Sequence, residues 1–168
     1  LTTVMNNGRG IYTSIFAREL DDPLQLQNPP WPESADYSDS TAYFKWVIET
    51  AGIMNVSYSF FSAPGMDSAQ DLASFTSNEN AWVITANLNT GTKAGTPVLF
   101  TKNITQSNSS TQLADLDDVP GLDDTGQPFG DKGAVVVFKG GSSITLKKDT
   151  ITTNSFNSTG ASNEVLYP

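Results

Sequence analysis

The constraint that most narrows what this chain can fold into lies in its first twenty residues. Val4, Met5, Ile11, Tyr12, Ile15, Phe16 and Leu20 recur at three- and four-residue spacing. That spacing puts them on one broad face of an α-helix. A helix with so wide an apolar face has to bury it against something. No Ser, Asp or Pro stands ahead of the pattern to satisfy the first free amides, so the expectation is that further helix or an anchor preceded Leu1. The helix is expected to end at Asp21, Asp22 and Pro23, because proline disfavours helical geometry in the residue before it and offers no amide.

Several function classes fall away on residue types. The chain has no histidine, which removes Ser-His-Asp and Cys-His triads, His-ligated zinc and the usual general base at neutral pH. It has no cysteine either, so disulfides, thiolate metal sites and a Cys nucleophile are absent. Carboxylate-based hydrolysis survives, although a pair of carboxylates can be picked from any chain with 18 acidic residues. The net charge of −9 repels phosphate backbones and leaves no basic stripe for a nucleic acid. With 38% hydrophobic and 16% charged residues, 168 residues suffice for one domain with a real core. No apolar run reaches the length of about 18 residues that a membrane span needs.

The rest of the chain divides by pattern into a connecting region (21–80), a β-rich part (81–148) and a tail (149–168). Asn28, Pro29, Pro30, Trp31 and Pro32 form a stiff segment expected to lay Trp31 against the domain. Asp36 to Ser40 offer N-caps for a second helix with Tyr43, Phe44, Val47, Ile48 and Ala51 on its apolar face, Lys45 and Glu49 opposite, and Gly52 as its stop. Met54 to Phe61 reads equally as a strand or an irregular stretch before the turn at Ala63, Pro64 and Gly65. Ala81 to Leu88, Pro97 to Ile104 and Gly133 to Lys139 have the composition of strands in a sheet with one buried face. Gly140 and Gly141 form the turn of a hairpin whose return strand is Ser142 to Lys148. The tail from Thr150 reads as an edge strand or a mobile end. The expected class is α+β: a long N-terminal α-helix packed on a C-terminal antiparallel β-sheet, with a second short helix between them.

Three further signals carry two readings each. Asp115, Asp117, Asp118, Asp123, Asp124 and Asp131 lie in a stretch punctuated by Pro120, Gly121, Gly126, Pro128 and Gly130. Such a loop either converges on Ca²⁺, which takes six to eight oxygens in irregular geometry, or is a solvated acidic loop; its spacing is not that of an EF-hand. Trp31, Trp46 and Trp82 are either a sugar-stacking platform or core and cover. Asn55, Asn103, Asn108 and Asn157 each open an N-x-S/T triplet, a glycosylation acceptor only where the source glycosylates.

The order of elements, with the texts NNGRGIYTSIFAREL, FKWVIETAGI, FFSAPGM, NENAWVITANL, TPVLFTKNI and GDKGAVVVFKGGS, resembles the type IV pilin-like proteins and, within them, the pseudopilins of type II (general) secretion systems. The resemblance covers most of the chain. It implies a pilin-like domain, 1–168, that is a structural subunit of a filament and not an enzyme. It implies an apolar half-helix upstream of Leu1 that anchors the protein in the inner membrane, with this domain on the periplasmic side. Other pseudopilin subunits and the secretion machinery would be its partners. Leu1, Val4, Met5, Tyr12 and Phe16 would be shared between the domain's own sheet and neighbouring subunits. The calcium-binding C-terminal loop of major pseudopilins adds to the reading of Asp117, Asp118, Asp123, Asp124 and Asp131 as Ca²⁺ ligands. A cell-surface binding module for glycan or protein is the alternative from another class, with a carboxylate-based hydrolase behind it.

Overall fold

The computed structural model describes residues 1–21, 30–49, 57–105, 112–114, 121–123, 126–148, 151 and 153–168. Helix α1 spans Thr2–Asp21, about 30 Å of helix at 1.5 Å per residue. Its first bond runs from the Met5 amide to the Leu1 carbonyl at 2.8 Å. Helix α2 spans Ser40–Glu49, and Asp39 Oδ1 caps it by accepting from the Ala42 amide at 2.7 Å. Tyr43, Phe44 and Val47 are buried on its apolar face, with Ile48 half-buried; Ala51 and Gly52 lie outside the described residues, as do Pro23, Asn28 and Pro29. Trp31 is packed into the core as the Pro-rich segment led us to expect. Of the ambiguous stretch before Ala63, Tyr58–Phe60 is a single 3-10 turn, and Met54 to Val56 lie outside the described residues.

Five strands form an antiparallel sheet. They are β1 (Trp82–Thr85), β2 (Pro97–Thr101), β5 (Ala134–Phe138), β6 (Ser143–Leu146) and β7 (Val165–Leu166), in the spatial order β6-β5-β2-β1-β7. Two short strands, β3 (Ile104–Thr105) and β4 (Gly121–Leu122), pair apart from it. The expected strand 97–104 is thus two strands separated by a turn at Lys102 and Asn103. The hairpin between β5 and β6 has the expected register, Val136 opposite Ile144, and Gly141 turns it at φ 94°, the left-handed region that glycine enters without steric cost. A short helix, α3 (Thr153–Phe156), precedes β7, so the tail supplies the sheet's edge strand beside β1.

One expectation fails in an instructive way. The sheet is buried on both faces: every residue of β1, β2 and β5 is buried. Trp82, Ile84, Leu99, Val135 and Val137 pack with α1, α2 and the 58–75 region. Val83, Phe100, Val136 and Leu146 pack on the other side with Ile104, Leu113, Phe156 and Val165. The unbroken run Ala134 to Phe138 carries no polar alternate residue, which is the pattern of a doubly covered strand. The second cover comes from short elements with no apolar periodicity of their own, so the sequence did not announce it.

Candidate functional site: the helix face and the acidic loop

Helix α1 lies on β5, β6 and β2 and on the 3-10 turn. Val4, Gly8, Ile11, Tyr12, Ile15 and Glu19 form its inner stripe. Gly8 sits against the Trp82 ring so closely that a Cβ there would lie 2.5 Å from Cη2. Near the C-terminal end of α1 the stripe continues onto Glu19, four residues after Ile15, and not onto Leu20. A carboxylate is tolerated there because the Lys139 ammonium, just past β5, stands 3.1 Å from it and the Trp31 indole N–H donates to it. Both charges are more than nine-tenths buried, and burial of this kind persists only when paired and hydrogen-bonded. The Phe16 and Trp31 rings flank the ammonium at 5.4 and 5.6 Å. Tyr12 stacks on Phe16 at 5.4 Å and donates to the Lys139 carbonyl at 2.5 Å. Burial, and secondarily the Glu19 charge, push the Tyr12 hydroxyl pKa up.

The five residues expected to be shared with neighbouring subunits divide accordingly. Val4 and Tyr12 are consumed by the domain's own core. Met5 and Phe16 are half-buried and packed against that core. Leu1 is 40% exposed, and Leu20, part of the apolar pattern but absent from the expected interface, is 65% exposed; they are the exposed large hydrophobic residues among those described. The outward face of α1 otherwise presents Thr2, Thr3, Asn6, Arg9, Thr13 and Ala17. A search by apolar residues overlooks such a surface, because its signal is an interruption of the apolar pattern.

Of the expected metal ligands, Asp123 and Asp131 are described, whereas Asp117, Asp118 and Asp124 lie outside the described residues, as does Asp115. The Asp131 carboxylate accepts from Lys148 Nζ at 2.7 Å, and that bond and charge lower its pKa. Among the described residues no three acidic groups converge as a metal-holding set. Beside the loop, Asn103 is buried and its Nδ2 donates to the Gly130 and Gly133 carbonyls, both at 2.8 Å, while its backbone carbonyl accepts from the Asp123 amide at 2.9 Å. Its Oδ1 has no hydrogen-bond partner among the described residues. An orphaned acceptor in that position has the chemistry of a hard-cation ligand.

Asn103 and Asn157 are buried with their amide nitrogens bonded to backbone carbonyls, so neither triplet presents an acceptor in the folded chain. Asn55 and Asn108 lie outside the described residues. Trp31 and Trp82 are buried core, which leaves the three tryptophans unable to form an exposed stacking platform. Among the described residues no helix is long and apolar enough to cross a membrane. No protein-family model, no curated protein and no solved structure matches this chain.

Proposed function

We propose that the chain is the globular part of a pseudopilin-like filament subunit, working by assembly and not by chemistry. The observation that supports this is the posture of α1. One side is sealed onto β5, β6 and β2 of the five-strand antiparallel sheet, while the opposite side, bounded by Leu1 and Leu20, is exposed among the described residues. None of the described residues covers that outer face, which leaves it open to a second molecule, and repetition of one heterologous contact builds a filament. On this reading an apolar half-helix continuous with α1 anchors the subunit in the inner membrane, with the domain on the periplasmic side and other subunits and the secretion machinery as partners.

Because the chain has no native cysteine, engineered ones are silent against its background. Thr3→Cys, Thr13→Cys and Leu20→Cys, introduced in the full-length protein in its own cells, are expected to give a ladder of cross-linked oligomers on oxidation. A Cys at exposed Ser158, far from α1 in the chain, serves as the control. Monomer alone from every α1 position would sink the filament reading.

On the same reading the acidic loop takes Ca²⁺ through the expected ligands Asp117, Asp118, Asp123, Asp124 and Asp131, the last of them bonded to Lys148, and Asn103 Oδ1 supplies a neutral acceptor. Millimolar Ca²⁺, but not Mg²⁺, is then expected to raise the thermal midpoint by several degrees, since a ligand stabilises the state that binds it. The shift is expected to vanish in Asp124→Ala; an unchanged midpoint in the parent removes calcium from the reading.

A further inference from the structure

We infer that the cleft between the β1–β2 loop and the α3–β7 loop binds an acidic glycan, holding a sugar ring by its hydroxyls and its anionic group by Lys93. The cleft measures about 410 Å³, within the range of small-molecule sites, about 300–1,000 Å³. Its walls are mostly neutral and polar. Asn163 Nδ2 is bonded to the Ala86 and Asn87 carbonyls, Asn89 Oδ1 to the Gly91 amide, Thr92 Oγ1 to the Asn89 amide and Thr159 Oγ1 to Asn157. That leaves the Ser162 hydroxyl, Asn163 Oδ1, Asn89 Nδ2 and the Thr92 hydroxyl proton to donate to or accept from a ligand. Among the described lining residues Ala161 is the one aliphatic side chain, too little for a hydrophobic ligand. The match is to a ligand whose own groups both donate and accept, as sugar hydroxyls do.

Charge narrows the class. In a chain with 18 acidic residues and a net charge of −9, no carboxylate among the described residues lines this cleft, whereas Lys93 does. The Lys93 ammonium makes no ion pair among the described residues. An unpaired cation at the lip of a carboxylate-free cleft is placed to meet one anion. Among the described residues no aromatic side chain lines the cleft, which speaks against a nucleobase.

Position adds an independent argument. Leu1 lies beside Gly133, at the start of β5, whereas α1 meets Lys139, at the other end of that strand, through Tyr12 and Glu19. The Lys139 amide donates at 2.9 Å to the carbonyl of Thr96 in the cleft wall. The cleft therefore opens at the end of the molecule away from the start of α1, whatever holds that start. The assignment stands apart from the filament reading.

The test is titration of the labelled protein with trigalacturonate, with neutral galactotriose and triglutamate as comparators, followed by amide resonances. Trigalacturonate at millimolar concentration is expected to shift Thr92, Lys93 and Gly160 to Asn163. Galactotriose is expected to bind about tenfold more weakly, the worth of one charge-assisted hydrogen bond. Lys93→Ala should bring the acidic sugar down to the neutral one's affinity. Ser162→Val, at an exposed hydroxyl with no structural bond, should weaken both. Unchanged thermal midpoints in the two variants show that the fold is intact. Absence of shifts at these residues, equal binding of triglutamate, or undiminished binding by Lys93→Ala would each overturn the assignment.

Discussion

At the residue scale, Gly8 makes the helix–sheet contact possible. In a helix interior Ala exceeds Gly by about 1 kcal/mol of propensity, yet a Cβ at position 8 would sit 2.5 Å from a fully buried indole. Overpacking of a rigid core costs about 1–3 kcal/mol, so Gly8→Ala is expected to lower the denaturant midpoint. Gly10→Ala, whose Cβ meets only the edge of the half-buried Phe60 ring at 3.2 Å, should cost less. The Glu19–Lys139 pair behaves differently. Removing one partner, as in Glu19→Gln, strands a buried ammonium and is expected to cost about 3–5 kcal/mol. The double change Glu19→Leu with Lys139→Met should recover most of that loss, because desolvation of the pair consumes much of its attraction. A double-mutant cycle by chemical denaturation reads both numbers.

The exposed acids set the pH dependence. Asp71, Glu79 and Asp131 all have lowered pKa values: through the Ser74 amide and hydroxyl for Asp71, the Thr76 hydroxyl and amide for Glu79, and Lys148 for Asp131. A carboxyl whose pKa is lower folded than unfolded stabilises the fold above its unfolded pKa and loses that contribution as pH falls through the folded value. Stability is therefore expected to decline from about pH 5 downward, around the ordinary carboxylate range. Asp131→Asn should flatten that acid limb without altering the neutral-pH fold; an unaltered limb would show the Lys148 contact to be too solvent-screened to register.

At the element scale, the sheet's second face carries the strongest prediction. A strand with one wet face would tolerate changes there. Phe100, fully buried against Phe156 at 5.1 Å between ring centres, stands on the face turned away from α1. Phe100→Ala is expected to cost about 3–5 kcal/mol, as large core truncations do, and chemical denaturation measures it. The elements themselves were legible to different degrees. The first helix, the capped second helix and the 134–146 hairpin could be read locally, because periodicity, an Asp cap and a Gly-Gly turn are short-range signals. Strand β7 was legible only as one of two readings of the tail, an edge strand or a mobile end: Val165 and Leu166 acquire strand form by pairing with Thr85 and Ile84, some eighty residues away in sequence. Likewise the β2–β3 break follows from Asn103, whose side chain bonds Gly130 and Gly133 and so turns the chain out of the sheet.

For the whole molecule, the layers explain why one end of α1 and the glycan cleft serve different ends of the structure. Helix α1 runs along β5, and the Tyr12, Glu19, Trp31 and Lys139 cluster ties its C-terminal part to the sheet end that carries the cleft. An anchored subunit would thus hold the cleft away from its anchor. The sequence by itself determined that the chain is an α+β domain opening on an amphipathic helix, without histidine or cysteine chemistry, and with a doubly glycine-turned hairpin, since these depend on residue type and spacing within one or two turns. Only the tertiary structure decided which helix face remains free, that Val4 and Tyr12 belong to the core, that Glu19 is buried while Leu20 is not, and that the sheet is covered twice. Those outcomes depend on partners distant in sequence: a lysine 120 residues from its glutamate, or a strand recruited from the tail, enters no local pattern.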